Sequence, residues 1–175
     1  LTNDSKQFRH KDYELKLFSS LEEMVQEVKA RDNETGLSRL VAGFSWPWLS
    51  NPKNKNTPKW QPYDIIEDGV ALRWNSDTKD WINLEGSEDE VGCIHTTQGY
   101  DLNYTGLIFG HEIGYDPELE SIVIRKENYH DKNGRNNIKD PQDLVDYIIN
   151  IYKTIMLRGI KGTYIYVCDP ALREY

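Results

Sequence analysis

The stretch DPQDLVDYIINIYKTIMLRGIKGTYIYVCD, residues 140–169, decides the fold. Its first half predicts a helix. Asp140 is the N-cap, and Pro141 stands in the first turn, where an amide would have no intrahelical partner anyway. Leu144, Val145, Ile148, Ile149, Ile151, Tyr152 and Ile155 form the apolar stripe, which runs to about Leu157. The second half, Thr163–Cys168, is a short continuous apolar run. That is the pattern of a strand buried on both faces, as in a parallel sheet.

The same alternation recurs upstream. Tyr13–Phe18 predicts a strand, and Ser20 with Glu23 forms a capping box that opens a helix carrying Leu21, Met24, Val25 and Val28 inward. Arg39–Phe44 is a continuous apolar strand, and Val91–His95, Thr105–Gly110 and Ser121–Arg125 are three more. Val70–Trp74 and Trp81–Asn83 predict a hairpin around residues 75–80. Residues 51–62 hold three prolines with Lys53, Lys55 and Lys59 and no acid, which predicts a loop of local charge +3. Tyr129–Lys139 is polar, broken by Gly134, and reads as a further loop. Strands alternating with helices predict an α/β fold of three layers, with a mostly parallel sheet and an inserted β-hairpin near Val70–Trp81.

At 175 residues the chain fits one domain, residues 1–175, and 38% hydrophobic residues suffice for a core. A net charge of −8 excludes a small basic protein that coats nucleic acid, though not a local basic patch. No apolar run approaches the roughly 18 residues needed to span a bilayer, so no membrane partner is expected. Cys93 and Cys168 sit in apolar strand-like runs and read as reduced core thiols of a cytoplasmic protein. The first residue is Leu1, and Leu1–Arg9 shows no signal or transit pattern, so the chain is expected to be a piece of something longer.

The common chemical motifs are missing. There is no G-x-x-x-x-G-K-[ST], nor any Gly-Lys dipeptide, so this chain alone is not expected to hold a nucleoside triphosphate tightly. Cys93 and His95 are too few for a zinc site unless His111 converges on them, and no metal is expected. Glu112 and Asp169 each follow an apolar strand, as a magnesium-binding acid would, but without a P-loop both read as structural. Asp116, Glu118 and Glu120 suggest a nuclease, yet the next strand ends in Arg125-Lys126 where an acid-x-lysine is needed.

Three segments together say more. His95-Thr96-Thr97-Gln98-Gly99-Tyr100-Asp101, followed by Thr105–Phe109, resembles motif V of superfamily 1 helicases. Residues 151–162 run through Arg158-Gly159 into Thr163–Cys168 and resemble their motif VI. Arg39–Trp48 carries a Leu-x-Ala-Gly-x-x-Trp-Pro-Trp strand. Taken in chain order, with Arg39–Trp48 first, the three resemble an uncharacterised bacterial and phage family of DNA/RNA helicases related to the Schlafen ATPase region, over roughly Tyr13 to Asp169. Leu157 and Tyr100 depart from the usual threonine and leucine.

The resemblance implies a second, C-terminal RecA-like domain, with ATP and Mg²⁺ bound against a P-loop in an N-terminal RecA-like partner domain. Arg158 would be the arginine finger that meets charge on the transferring phosphoryl group. Gln98, Gly99 and Asp101 would face the nucleotide. His95, Thr96 and Thr97 would meet the backbone of single-stranded DNA or RNA, Trp46 and Trp48 would stack on bases, and Lys53 and Lys55 would track phosphates. The isolated chain is then not expected to be an active enzyme. Two alternatives stand beside it: a self-sufficient α/β module for single-stranded nucleic acid, and a degenerate RecA-like domain kept for protein contacts.

Overall fold

The computed structural model describes residues 11–51, 63–138 and 140–175. The chain begins with β1 (Glu14–Phe18), α1 (Leu21–Thr35) and β2 (Ser38–Ala42). A hairpin of β3 (Ile65–Glu67) and β4 (Val70–Trp74) follows, then β5 (Glu90–Gly92) and β6 (Leu102–Phe109). After β7 (Ile113–Asp116) and β8 (Ser121–Ile124) come α2 (Lys132–Asn137), α3 (Pro141–Met156), β9 (Gly159–Val167) and α4 (Pro170–Glu174). The caps are as the sequence predicts. Ser20 accepts the Glu23 amide at 3.4 Å, and Asp140 accepts that of Gln142 at 2.7 Å.

Seven strands form one sheet in the order β1-β9-β6-β2-β5-β4-β3, parallel throughout except for the antiparallel β3–β4 pair. A separate two-stranded ribbon, β7–β8, is antiparallel. The layers follow from side-chain alternation. On one face Leu40, Ala42 and Ile108 meet Leu21, Met24, Val25 and Val28 of α1. On the other Val41, Leu102 and Leu107 meet Leu144, Ile148, Ile151 and Ile155 of α3. The inner segments Leu40–Ala42 of β2 and Gly106–Ile108 of β6 therefore bury both faces, which is why they read as runs and not as alternations.

The predicted hairpin of Val70–Trp74 with Trp81–Asn83 does not form, although Val70–Trp74 does lie in a hairpin. The partner of Val70–Trp74 is Ile65–Glu67, across a turn at Asp68 (φ 51°) and Gly69 (φ 76°). Asp-Gly accepts this left-handed geometry readily. Trp81–Asn83 is instead a 3₁₀ turn, because Trp81 is drawn fully into the core. Its indole N–H donates to Glu90 at 2.7 Å, and its ring fills the space where a Cβ at Gly92 would stand. The expected loop at Tyr129–Lys139 contains the short helix α2. The segment with Lys53, Lys55 and Lys59 lies outside the described residues. Among the described residues no helix is long and apolar enough to cross a membrane.

The connection leaving β2 leads to the β4–β5 side, whereas that leaving β6 leads through α3 to β9. The carboxyl ends of β2 and β6 thus flank the sheet's topological switch point, where open α/β sheets place their ligands.

Gly92→Ala is expected to destabilise the fold by about 1–3 kcal/mol, because the added methyl displaces the Trp81 ring. A urea midpoint equal to wild type would show that the ring does not need this space.

Candidate functional site: two edges of one sheet

The residues expected to face nucleotide converge at the amino-terminal edge of the sheet. Arg158 lies in the corner between α3 and β9, and its carbonyl accepts the Leu102 amide at 2.9 Å. Its guanidinium donates from Nη1 to the Tyr100 carbonyl at 3.3 Å, while its Nε is buried without a partner. No carboxylate pairs with Arg158 among the described residues. Gln98, Gly99 and Asp101 are exposed on the adjoining turn. Gly99 has φ 86°, a conformation that favours glycine, and nothing lies within 4 Å of where its Cβ would be. Its backbone is open to an approaching group. Tyr100 fastens the turn by donating its hydroxyl to Asp80 at 2.5 Å.

Trp46, Trp48 and His95, expected to meet nucleic acid, lie at the opposite edge. A cavity of about 700 Å³ opens over the carboxyl ends of β2, β4 and β5, with Trp46, Trp48, Trp74, His95 and Asp131 in its lining. The His95 side chain is about half exposed, tilts on Phe44 at 5.5 Å and stands 3.4 Å from Asp131 Oδ2. Trp46 packs edge-on to Trp74 and to His111, and the indole N–H groups of Trp48 and Trp74 are buried without partners among the described residues. Thr96 and Thr97 are buried, and both hydroxyls bond to the Cys93 carbonyl, at 3.2 and 2.9 Å. They hold the turn that presents His95.

Between β2 and β6 the switch point is filled by a polar knot. Tyr152 of α3 accepts the Gly110 amide at 3.0 Å and donates to Glu112 Oε1 at 2.7 Å. Ser45 accepts the amides of His111 and Glu112. The knot exists because two glycines give it room: a Cβ at Gly43 would strike Glu112 and Tyr152, and one at Gly110 would strike Ser45. Burial pushes the Glu112 carboxyl above its usual range, only partly offset by the bonds from Ser45 and Tyr152. Its Oε2 has no partner.

The other acid after a strand, Asp169, has a different setting. Burial alone would raise it, but the Leu172 amide, the Arg125 guanidinium at 2.7 Å and the Tyr115 amide hold it low. It caps α4. Asp116 likewise caps the β7–β8 turn, accepting the amides of Glu118 and Leu119. His111 does not converge on Cys93 and His95. It meets Glu67 at 2.8 Å and lies near Cys168, a grouping with no sequence signature because its members stand 44 and 57 residues apart. The cavity's Trp74, His130 and Asp131 were also not anticipated; each ends a strand or opens α2, and only the folded sheet gathers them.

Glu112 supplies a pH test. Its folded-state carboxyl holds a proton more tightly than the unfolded one, so its contribution to stability falls as pH rises from 4.5 through the raised value. Glu112→Gln should therefore gain stability relative to wild type as pH rises above about 4.5. A difference that is flat with pH in urea titrations would place Glu112 in a solvated setting.

The family profile of the Schlafen group 3 DNA/RNA helicase domain matches residues 2–169. An uncharacterised protein of Saccharomyces cerevisiae, YPL245W, is 32% identical over 172 aligned residues, covering 94% of this chain. The chain spans 36% of that relative's length. A comparison with solved structures finds no match. Nearly the whole chain, including the strand that leads to Trp46, the turn at His95–Asp101 and the corner at Arg158, lies within the matched range, and it belongs to the Schlafen group 3 DNA/RNA helicase domain family.

Proposed function

We propose that this chain is the second RecA-like motor domain of an ATP-dependent DNA/RNA helicase or translocase. The observation that carries the reading is Arg158: a half-buried guanidinium with no acidic partner among the described residues, in a chain of net charge −8, seated against the Gln98–Asp101 turn. An arginine that merely neutralised a carboxylate would not be left so. In this reading ATP and Mg²⁺ are held by the P-loop of an N-terminal RecA-like domain. Arg158 reaches the charge that develops on the γ-phosphoryl group, and the Gly99 backbone lets the nucleotide approach. Gln98 and Asp101 contact its polar edge.

Single-stranded DNA or RNA lies across the other edge. His95 and Trp48 line the cavity there, next to Trp46, and aromatic rings of this kind stack on bases without regard to sequence. Lys53 and Lys55 follow the phosphates. The separation supports the reading because one segment, residues 93–101, joins the two edges: it leaves β5 beside the cavity and enters β6 beside Arg158.

The deciding measurement is ATP turnover by the intact protein, with and without single-stranded DNA. Arg158→Ala should lower turnover by about 10³–10⁵ with ATP binding retained. Unchanged turnover would make Arg158 a structural corner and favour a self-sufficient nucleic-acid-binding module. In parallel, Trp48→Ala should weaken single-strand binding by about 1–3 kcal/mol if its indole stacks on a base, as read by fluorescence titration.

A further inference from the structure

One cluster is used by neither edge. Glu67, His111 and Cys168 bring a carboxylate oxygen, an imidazole nitrogen and a thiol sulfur to within 4.8 Å of one another. They arrive from three places: β3 of the hairpin, the turn after β6, and the residue after β9. His111 Nε2 stands 2.8 Å from Glu67 Oε2. Cys168 is buried, and the other two are partly so.

No lysine or arginine pairs with Glu67 among the described residues. Glu112, next in the chain to His111, is fully buried with one carboxylate oxygen unpartnered. Burial first, and then the charges of Glu67 and Glu112, push the Cys168 thiol up, so as a free thiol it is inert. The imidazole is held in place from both sides. Its backbone amide donates to Ser45, its carbonyl accepts from Asn128 at 3.0 Å, and its ring abuts Trp46.

We propose that Glu67, His111 and Cys168 form a zinc site, with water in the fourth position. Thiolate, imidazole and carboxylate are together a donor set for zinc, whereas the hard ions Mg²⁺ and Ca²⁺ do not select sulfur. Zinc–ligand bonds of about 2.0–2.3 Å put tetrahedral donors about 3.3–3.6 Å apart, so small side-chain adjustments bring these three into place. On binding, the Cys168 sulfur gives up its proton to solvent and bonds the ion. The His111 ring proton resides on Nδ1, leaving Nε2 to ligate. Affinity therefore rises with pH. The ion pins the hairpin to the carboxyl ends of β6 and β9.

The test is metal binding by the purified, chelator-treated protein. Wild type should take up one Zn²⁺ per chain at micromolar concentration, with tighter binding at higher pH. Co²⁺ in its place should give tetrahedral visible bands and a sulfur-to-cobalt charge-transfer band in the near ultraviolet. Cys168→Ser should abolish the charge-transfer band, and His111→Ala and Glu67→Gln should each weaken Zn²⁺ by about tenfold or more. Circular dichroism of the metal-free variants checks that they fold. Absence of stoichiometric binding, or of the charge-transfer band in wild type, overturns the proposal without recourse to any variant. So does equal Zn²⁺ affinity in folded Cys168→Ser and His111→Ala.

Discussion

The parallel pairing of β6 with β9 sets both ends of the molecule. At its start Leu102 stands opposite Gly159, and at its end Phe109 stands opposite Val167. The first pair brings Arg158 against the carbonyl of Tyr100, and the last brings Cys168 beside the turn that carries His111. Between them the register shifts, because β9 spends one residue more than β6 between Leu102 and Tyr104. Gly159 and Gly162 make that bulge possible: a Cβ at either would strike backbone oxygen, of Gly162 and of Glu14 respectively. The Arg-Gly-x-Lys-Gly pattern is thus a backbone requirement as well as a motif. Without the bulge the corner holding Arg158 would fall out of step with the turn that receives it.

A second constraint holds the opposite edge closed. The switch point between β2 and β6, which in an open α/β sheet would admit a ligand, is occupied by Glu112, Tyr152 and Ser45. An acid fully out of water is costly, and the remedy here is a phenol and a hydroxyl placed by glycines at 43 and 110. The consequence is a displaced opening. The cavity lies one strand over, above β2, β5 and β4, where aromatic side chains and His95 collect. This leaves the domain with an apolar, aromatic concavity on one edge and, on the other, an arginine with no acidic partner among the described residues.

Much of the fold was legible because local chemistry and tertiary packing agree. Ser20 and Asp140 cap the two long helices whose apolar stripes then face the sheet from opposite sides. The misplaced hairpin arm shows where they disagree. Trp81 has strand-like neighbours, but its ring finds a slot against Gly92 and a carboxylate in Glu90, and that burial outweighs pairing. Asp68-Gly69 was the stronger turn signal, with both residues at positive φ. Of the β7–β8 ribbon, β8 matches the strand expected at Ser121–Arg125, whereas β7 is a four-residue strand with no long apolar run to mark it.

By itself the sequence determined the class of fold, the caps, the doubly buried strands and the family motifs, since each is written in residues close together along the chain. Only the tertiary structure decided which side chains meet. It separated His95 from Gln98–Asp101 onto opposite edges although they share one motif, and it joined Arg158 to a turn 58 residues upstream. It also brought Glu67, His111 and Cys168 into one cluster. The reason is geometric: periodicity reports which face a residue occupies, but contact across strands depends on sheet order and register, which no local pattern encodes.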